Sequence, residues 1–207
     1  MTSSRRRRVA SAAVSFVPTL LMAGVAHAQG APAGELGLLV PGRSLVGVSD
    51  ATATAKNPAN LGLLPAIEAR WLWTRTTQAS QDVRRGHSFD LALPLFFDLA
   101  AGARLDLVRP PAASAAPNYR LLTGALGWAS EKTGTGLGVS FSKTSAARAA
   151  YDEHRSTSFA FTSRATRYAG LAGIVRNAFA DRNPLGLRLE RSWEAGLSIF
   201  PRGDRRV

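Results

Sequence analysis

Ala66-Ile67-Glu68-Ala69-Arg70-Trp71-Leu72-Trp73-Thr74 is the stretch whose reading decides the fold. Its residues change character with a period of two. Ile67, Ala69, Trp71 and Trp73 share one side, and Glu68, Arg70, Leu72 and Thr74 share the other. Side chains alternate across a strand, so this is a β-strand with one apolar and one mostly polar face. The same alternation recurs downstream. Phe89, Leu91, Leu93 and Leu95 oppose Ser88, Asp90 and Ala92; Ala101, Ala103, Leu105 and Leu107 oppose Gly102, Arg104 and Asp106. Leu122, Gly124, Leu126 and Trp128 form a further apolar face, followed by Leu137, Val139 and Phe141, and then by Thr157, Phe159 and Phe161. Leu171, Gly173 and Val175 alternate least cleanly, because Gly170, Ala172 and Ile174 opposite them are also apolar. Trp193, Ala195, Leu197 and Ile199 close the series against Glu194, Gly196 and Ser198.

This pattern predicts an all-β, antiparallel chain of about eight strands, each roughly ten residues long, the length at which a tilted strand crosses a bilayer. Tight turns at 96–98 and 131–134 alternate with longer loops at 76–85, 109–118 and 143–155. Outer-membrane barrels arrange short turns on one side and long loops on the other. The expected fold is therefore an up-and-down transmembrane-type β-barrel over residues 66–207, incomplete because Arg205-Arg206-Val207 would only open a further strand. A soluble β-sandwich alternates as well, with shorter strands of about 5–6 residues, and is the competing fold.

Upstream of the strands lie two other segments. Arg5 to Arg8, an apolar run over 9–25 and Ala26-His27-Ala28 before Gln29 have the three parts of a secretory signal, so residues 1–28 are expected to be cut away after Ala28. Ser4-Arg5-Arg6 also resembles a twin-arginine signal, which would carry an already folded domain. Residues 29–65 read as an extended, plug-like segment, with a short helix near 49–56 capped by Ser49 or Asp50 and ended by Asn57-Pro58. The formal charge is +12, and +8 once the four arginines of the leader are removed. The remaining bases are scattered, and no nucleic-acid motif accompanies them. Anionic lipid headgroups or lipopolysaccharide are the expected partners of that charge.

Catalytic chemistry finds little support, and no enzyme, cofactor or metal site is expected. With no cysteine there is no thiolate ligand or nucleophile. His87 and His154 lack metal-type spacing and read as solvated. Gly134-Thr135-Gly136-Leu137-Gly138 runs into a strand, which denies it the geometry of a phosphate loop. Asp152-Glu153 reads as a solvated loop pair. The four tryptophans Trp71, Trp73, Trp128 and Trp193 lie on apolar faces and are expected at a membrane–water interface. Glu68, Arg70, Arg104, Asp106, Arg188, Glu190 and Glu194 are expected to line a polar lumen, with Arg70 pairing to Glu68 or Asp106.

Asp50, Ala51, Asn57, Pro58, Ala59 and Leu61 resemble the entry stretch of FadL-type outer-membrane proteins, with Asn60 where that family has glycine. The resemblance covers about 15 residues plus the strand pattern that follows. It implies a plug leading into the first barrel strand, an outer-membrane location, handling by the barrel-assembly machinery, and passive passage or binding of an apolar or amphiphilic solute. Asp50, Asn57, Pro58, Ala59, Asn60 and Leu61 would then be the gate. The run 168–177 and Ser192 to Leu197 also resemble barrel modules found ahead of a signal-peptide-peptidase domain. That implies a non-transporting module that anchors or scaffolds a larger envelope protein. A soluble periplasmic β-domain is the third expectation.

Overall fold

The computed structural model describes residues 36–38, 44–47, 49–75, 84–110, 117–130, 132–166 and 168–200. The expected leader and the further strand expected to open at 205–207 lie outside them. Eight antiparallel strands follow one another as a meander: β1 (Glu68–Thr74), β2 (Arg85–Pro94), β3 (Leu99–Arg109), β4 (Tyr119–Ser130), β5 (Thr135–Ala146), β6 (Arg155–Thr166), β7 (Ala169–Ala180) and β8 (Ser192–Ile199). The sequence alternation maps directly onto the two faces. In β4, for example, Leu121, Thr123, Ala125, Gly127 and Ala129 are buried, while Leu122, Leu126 and Trp128 stand exposed.

The turns follow from local chemistry. Phe97 and Asp98 both take positive φ (54° and 60°) between β2 and β3. Gly134, at φ 61°, ends the β4–β5 turn, and its N–H donates to Ser130 O at 2.8 Å. The irregular alternation of β7 has a structural cause. Ladder partners step from Thr157↔Phe179 to Phe159↔Val175, so Ser158 faces three residues. Asn177 sits in this bulge at φ 51°, its N–H donating to Ser158 Oγ at 3.1 Å. As a result β7 continues past the bulge to Ala180.

The N-terminal segment covers one face of the sheet. It comprises helix α1 (Ala53–Lys56) and a 3₁₀ helix (Pro58–Leu63). The expected helix is thus shorter at its start: Thr52 is the N-cap, and Asp50 Oδ1 accepts from Thr52 N at 2.9 Å. The 3₁₀ helix contacts strands β2 through β6. The main apolar cluster, Ala51, Ala53, Leu61, Leu64, Ala92, Ala100 and Ala125, lies between segment and sheet. A second cluster joins Leu45, Val46 and Ala59 to Ala160, Ala172 and Ile174.

The closed barrel expected from the alternation is corrected by the strand order. The ladder begins at β1 and stops at β8, and among the described residues no pairing joins the two. Alternation specifies which face each side chain takes; it carries no information on whether the end strands meet. Here the covered-face groups of both end strands turn to the N-terminal segment instead. Glu68 and Arg70 of β1 bind Ala51 N and Asp50, and Glu194 of β8 binds Lys56. A flat eight-strand sheet would hold its edges about 34 Å apart. The seven residues 50–56 reach both ends, so the sheet bends over the segment while staying open. A sandwich is not formed either, since the described strands make one sheet. No helix among the described residues is long and apolar enough to cross a membrane.

Candidate functional site

The distinctive site of this molecule is the seat of residues 45–64 on the sheet. Asn57 and Asn60 are fully buried, and both side-chain amides donate to one acceptor, Leu45 O, at 2.9 and 2.7 Å. Asn57 Oδ1 also accepts from Ala59 N at 3.2 Å, which caps the 3₁₀ helix that Pro58 begins. Arg164 of β6 donates to Val46 O. Close approach of the two layers depends on glycine. A methyl at Gly127 would meet Pro58 O, and one at Gly138 would meet Pro58 and Ala59 backbone. The six residues expected to form a gate, Asp50, Asn57, Pro58, Ala59, Asn60 and Leu61, are all buried, and of these Asn57 and Asn60 are joined through the Leu45 carbonyl while Asp50 lies apart, against Arg70.

Charged groups fix the ends of this segment. Arg70 Nη1 lies 2.9 Å from Asp50 Oδ2, and Arg70 Nε donates to Glu68 Oε1 at 2.5 Å. Arg70 thus takes Glu68, one of its two expected partners, together with Asp50 in place of Asp106. Lys56 Nζ donates to Glu194 Oε1 at 2.9 Å, and Arg176 donates to Ala55 O, Lys56 O and Glu194 Oε2 at 2.9, 3.2 and 3.3 Å. Cations at the carbonyl end of α1 satisfy its last acceptors. Burial pushes the Glu194 carboxyl up, but the Lys56 hydrogen bond and the charges of Lys56 and Arg176 outweigh it and hold the group below its ordinary range.

A second ionic group is wholly enclosed. Arg104, 1% exposed, donates through Nε to both oxygens of Asp106 at 2.9 and 3.0 Å, and through Nη2 to Leu38 O at 2.7 Å. Its Nη1 faces Asp90 Oδ1 at 3.7 Å, too long for a hydrogen bond, and neither atom finds another partner among the described residues. Burial is the main reason why Asp90 is pushed up to about 6, opposed by the Arg104 charge and a hydrogen bond from Ser88. Asp106 is raised for the same first reason. Tyr119 Oη donates to Leu36 O at 2.6 Å and Arg84 Nη1 to Gly37 O at 3.2 Å, so residues 36–38 are strapped beside this group.

Between this strap and α1 lies a cavity of about 130 Å³, lined by Thr123, Ser140, Ser142, Ser156 and Ser158 on the sheet and by Lys56 on the segment. Its size suits a few waters, since ligand pockets run to about 300–1,000 Å³. No group of three His, Asp or Glu capable of holding a metal occurs among the described residues.

The other expected site residues fall in three places. Glu68, Arg70, Arg104, Asp106 and Glu194 lie on the covered face, as ion pairs with the segment or with each other. With no closed ring they do not line a lumen. Arg188 and Glu190 belong to the exposed β7–β8 loop, where an isolated bridge pairs Arg182 with Arg188. Trp71, Trp73, Trp128 and Trp193 are exposed on the opposite, bare face. Leu122, Leu126, Leu137, Phe141, Phe159 and Phe179 share that face, and a patch of this kind marks a contact surface.

Both histidines depart from the solvated reading. His87 stacks against Trp71 and Trp73 and accepts from Trp71 Nε1 at 3.2 Å. His154 is buried, with Nε2 3.0 Å from Ala150 O. Pairing the strands in register would have shown His87 opposite Trp73. Nothing in the sequence marks His154 as enclosed. Asp152 is also engaged, accepting from Ala146 N at 2.9 Å to close the β5–β6 loop.

The chain matches no protein-family model, no curated protein and no solved structure. The FadL-type resemblance of residues 50–61 therefore stands without a family behind it, and the open strand order contradicts the barrel that it implies. The expectations attached to that barrel fall with it. Among the described residues the sheet has two unpaired edges and encloses no passage for a solute, so the transport and porin-like readings lose their basis. Outer-membrane insertion loses its basis too, because unpaired edge N–H and C=O groups are each costly by several kcal/mol in hydrocarbon.

Proposed function

We propose that this chain is an exported, non-transporting β-module that scaffolds a larger envelope assembly through the free edges of its sheet. The observation that carries this reading is the seat of residues 45–64. The polar face that would have to conduct a solute is occupied by the chain's own segment, clamped through Asn57, Asn60 and Arg164 and fitted against Gly127 and Gly138. Such a segment serves as the core of the fold, since the largest apolar cluster forms only with it in place. Edges of a sheet, by contrast, are ready templates for added strands. Export rests on the leader-like residues 1–28.

A comparison of solute flux with stability tests the reading. The full chain and its Asn60→Ala variant are reconstituted in liposomes, and both are unfolded in urea. Loss of one buried amide should cost about 1–3 kcal/mol, and neither protein should pass a small solute. Solute flux that appears when the clamp is weakened would show that the segment is a gate and would sink the scaffold reading.

A further inference from the structure

We propose that the bare face of the central strands β3 to β6 docks in the plane of an anionic lipid leaflet, without crossing it, through a row of bases set beside an apolar crown. The inference goes beyond the scaffold reading, which concerns the edges of the sheet, and assigns its other large surface.

The charge that looks scattered along the sequence is gathered by the fold. Arg109, Arg120, Lys143 and Arg155 stand at the same end of four successive strands, each on the bare face and each exposed. The ladder sets like charge directly against like charge: Lys143 opposes Arg155, and Arg109 opposes Arg85. Like charges in such positions destabilise a sheet, so the stability of the fold does not account for the row. Two acids stand near it. Glu153 lies 3.8 Å from Lys143 with both side chains half-exposed, a weak pair, and Asp181 donates its N–H to Arg155 O. At the other end of these strands the exposed charges among the described residues, Asp98 and Lys132, cancel. The row end therefore stays positive, and an anionic partner relieves its repulsion.

Apolar side chains lie beside the row. One same-face step along a strand, about 7 Å, leads from Arg120 to Leu122 and from Lys143 to Phe141, which are 57% and 55% exposed. Leu126, Trp128, Leu137 and Phe159 extend this patch over the same strands. A nucleic acid would meet the bases and leave Leu122, Leu126 and Leu137 in water. An anionic amphiphile meets both kinds of residue, with its phosphate at the bases and its acyl chain at the leucines. Long basic side chains lay their stems on apolar surface and keep the charge at the headgroups.

The bend of the sheet sets the depth. Tying Glu68, Arg70 and Glu194 to residues 50–56 makes the bare face convex, so β3 to β6 form its crown while β1 and β8 turn away from a flat surface. Interfacial docking buries an apolar face by about 5–10 Å. The unpaired edges then remain in water, and the cost of bringing them into hydrocarbon does not arise.

Flotation of the full-length chain with lipid vesicles tests this. One set is phosphatidylcholine alone, and the other is phosphatidylcholine mixed with phosphatidylglycerol. The expected result is binding at least about tenfold tighter to the anionic set, a preference that high salt removes. The double variant Arg120→Gln, Lys143→Gln should lose most of that preference, while Lys132→Gln at the other end should change it by less than about twofold. Urea unfolding separates binding from folding, since Lys143→Gln, relieved of Arg155, should be no less stable than the wild type. Bound protein should be released by alkaline carbonate. Equal binding to both vesicle sets, or equal losses in the double variant and Lys132→Gln, overturns the proposal. Retention through carbonate, which would place strands across the bilayer, overturns it as well. A short DNA duplex bound more tightly than the anionic vesicles overturns the lipid partner in favour of a nucleic acid.

Discussion

Asp90 shows how one residue sets a pH response. Its carboxyl is raised to about 6 in the folded chain by burial, from an ordinary 3.8. Below about pH 4 it is protonated whether the chain is folded or not, and it costs nothing. Between about 4 and 6 the unfolded chain releases this proton and the folded chain keeps it, so stability falls as pH rises. The displacement corresponds to about 3 kcal/mol. Asp106, shifted the same way, adds to the trend. Asp90→Asn should remove most of the Asp90 share, so that the variant gains on the wild type in urea unfolding at pH 7 and not at pH 4. Glu194 acts in the opposite sense: held below its ordinary range, it stabilises at neutral pH, and that contribution is lost as pH falls through its folded value. None of these shifts can be read from sequence. Arg104 and Asp106 stand two apart on one strand face, so their pairing is visible there, but their enclosure depends on Leu38, 66 residues away from Arg104.

At the scale of elements, alternation identifies all eight strands and assigns the apolar face of each, because the period-two signal is a local property of the chain. What alternation leaves out comes from long-range contacts or from insertions. The bulge at Asn177 shifts the end of β7, and Arg188 and Glu190 read as strand residues although they sit in a loop. The entry stretch 50–61 is legible as a unit by its composition, yet its role as a core follows only from where it packs. Two substitutions separate the faces. Gly127→Ala places a methyl against Pro58 O and should cost about 1–3 kcal/mol by overpacking, with faster proteolysis of residues 45–64 as its signature. Leu137→Thr on the bare face should change stability by less than about 0.5 kcal/mol while reducing self-association at high concentration.

For the whole molecule, the account turns on the separation of β1 from β8. Sequence periodicity is identical for an open and a closed meander, so the pattern alone does not decide between them. The segment 50–56 spans the opening, tying Glu68 and Arg70 on one side to Glu194 on the other. The most direct measurement is the distance between spin labels at Ala69→Cys and Ala195→Cys in the same chain, diluted into an excess of unlabelled protein so that only intrachain pairs contribute. The open sheet predicts label separations well beyond the about 5 Å between residues on paired strands. Labels in direct cross-strand contact within one chain would contradict it.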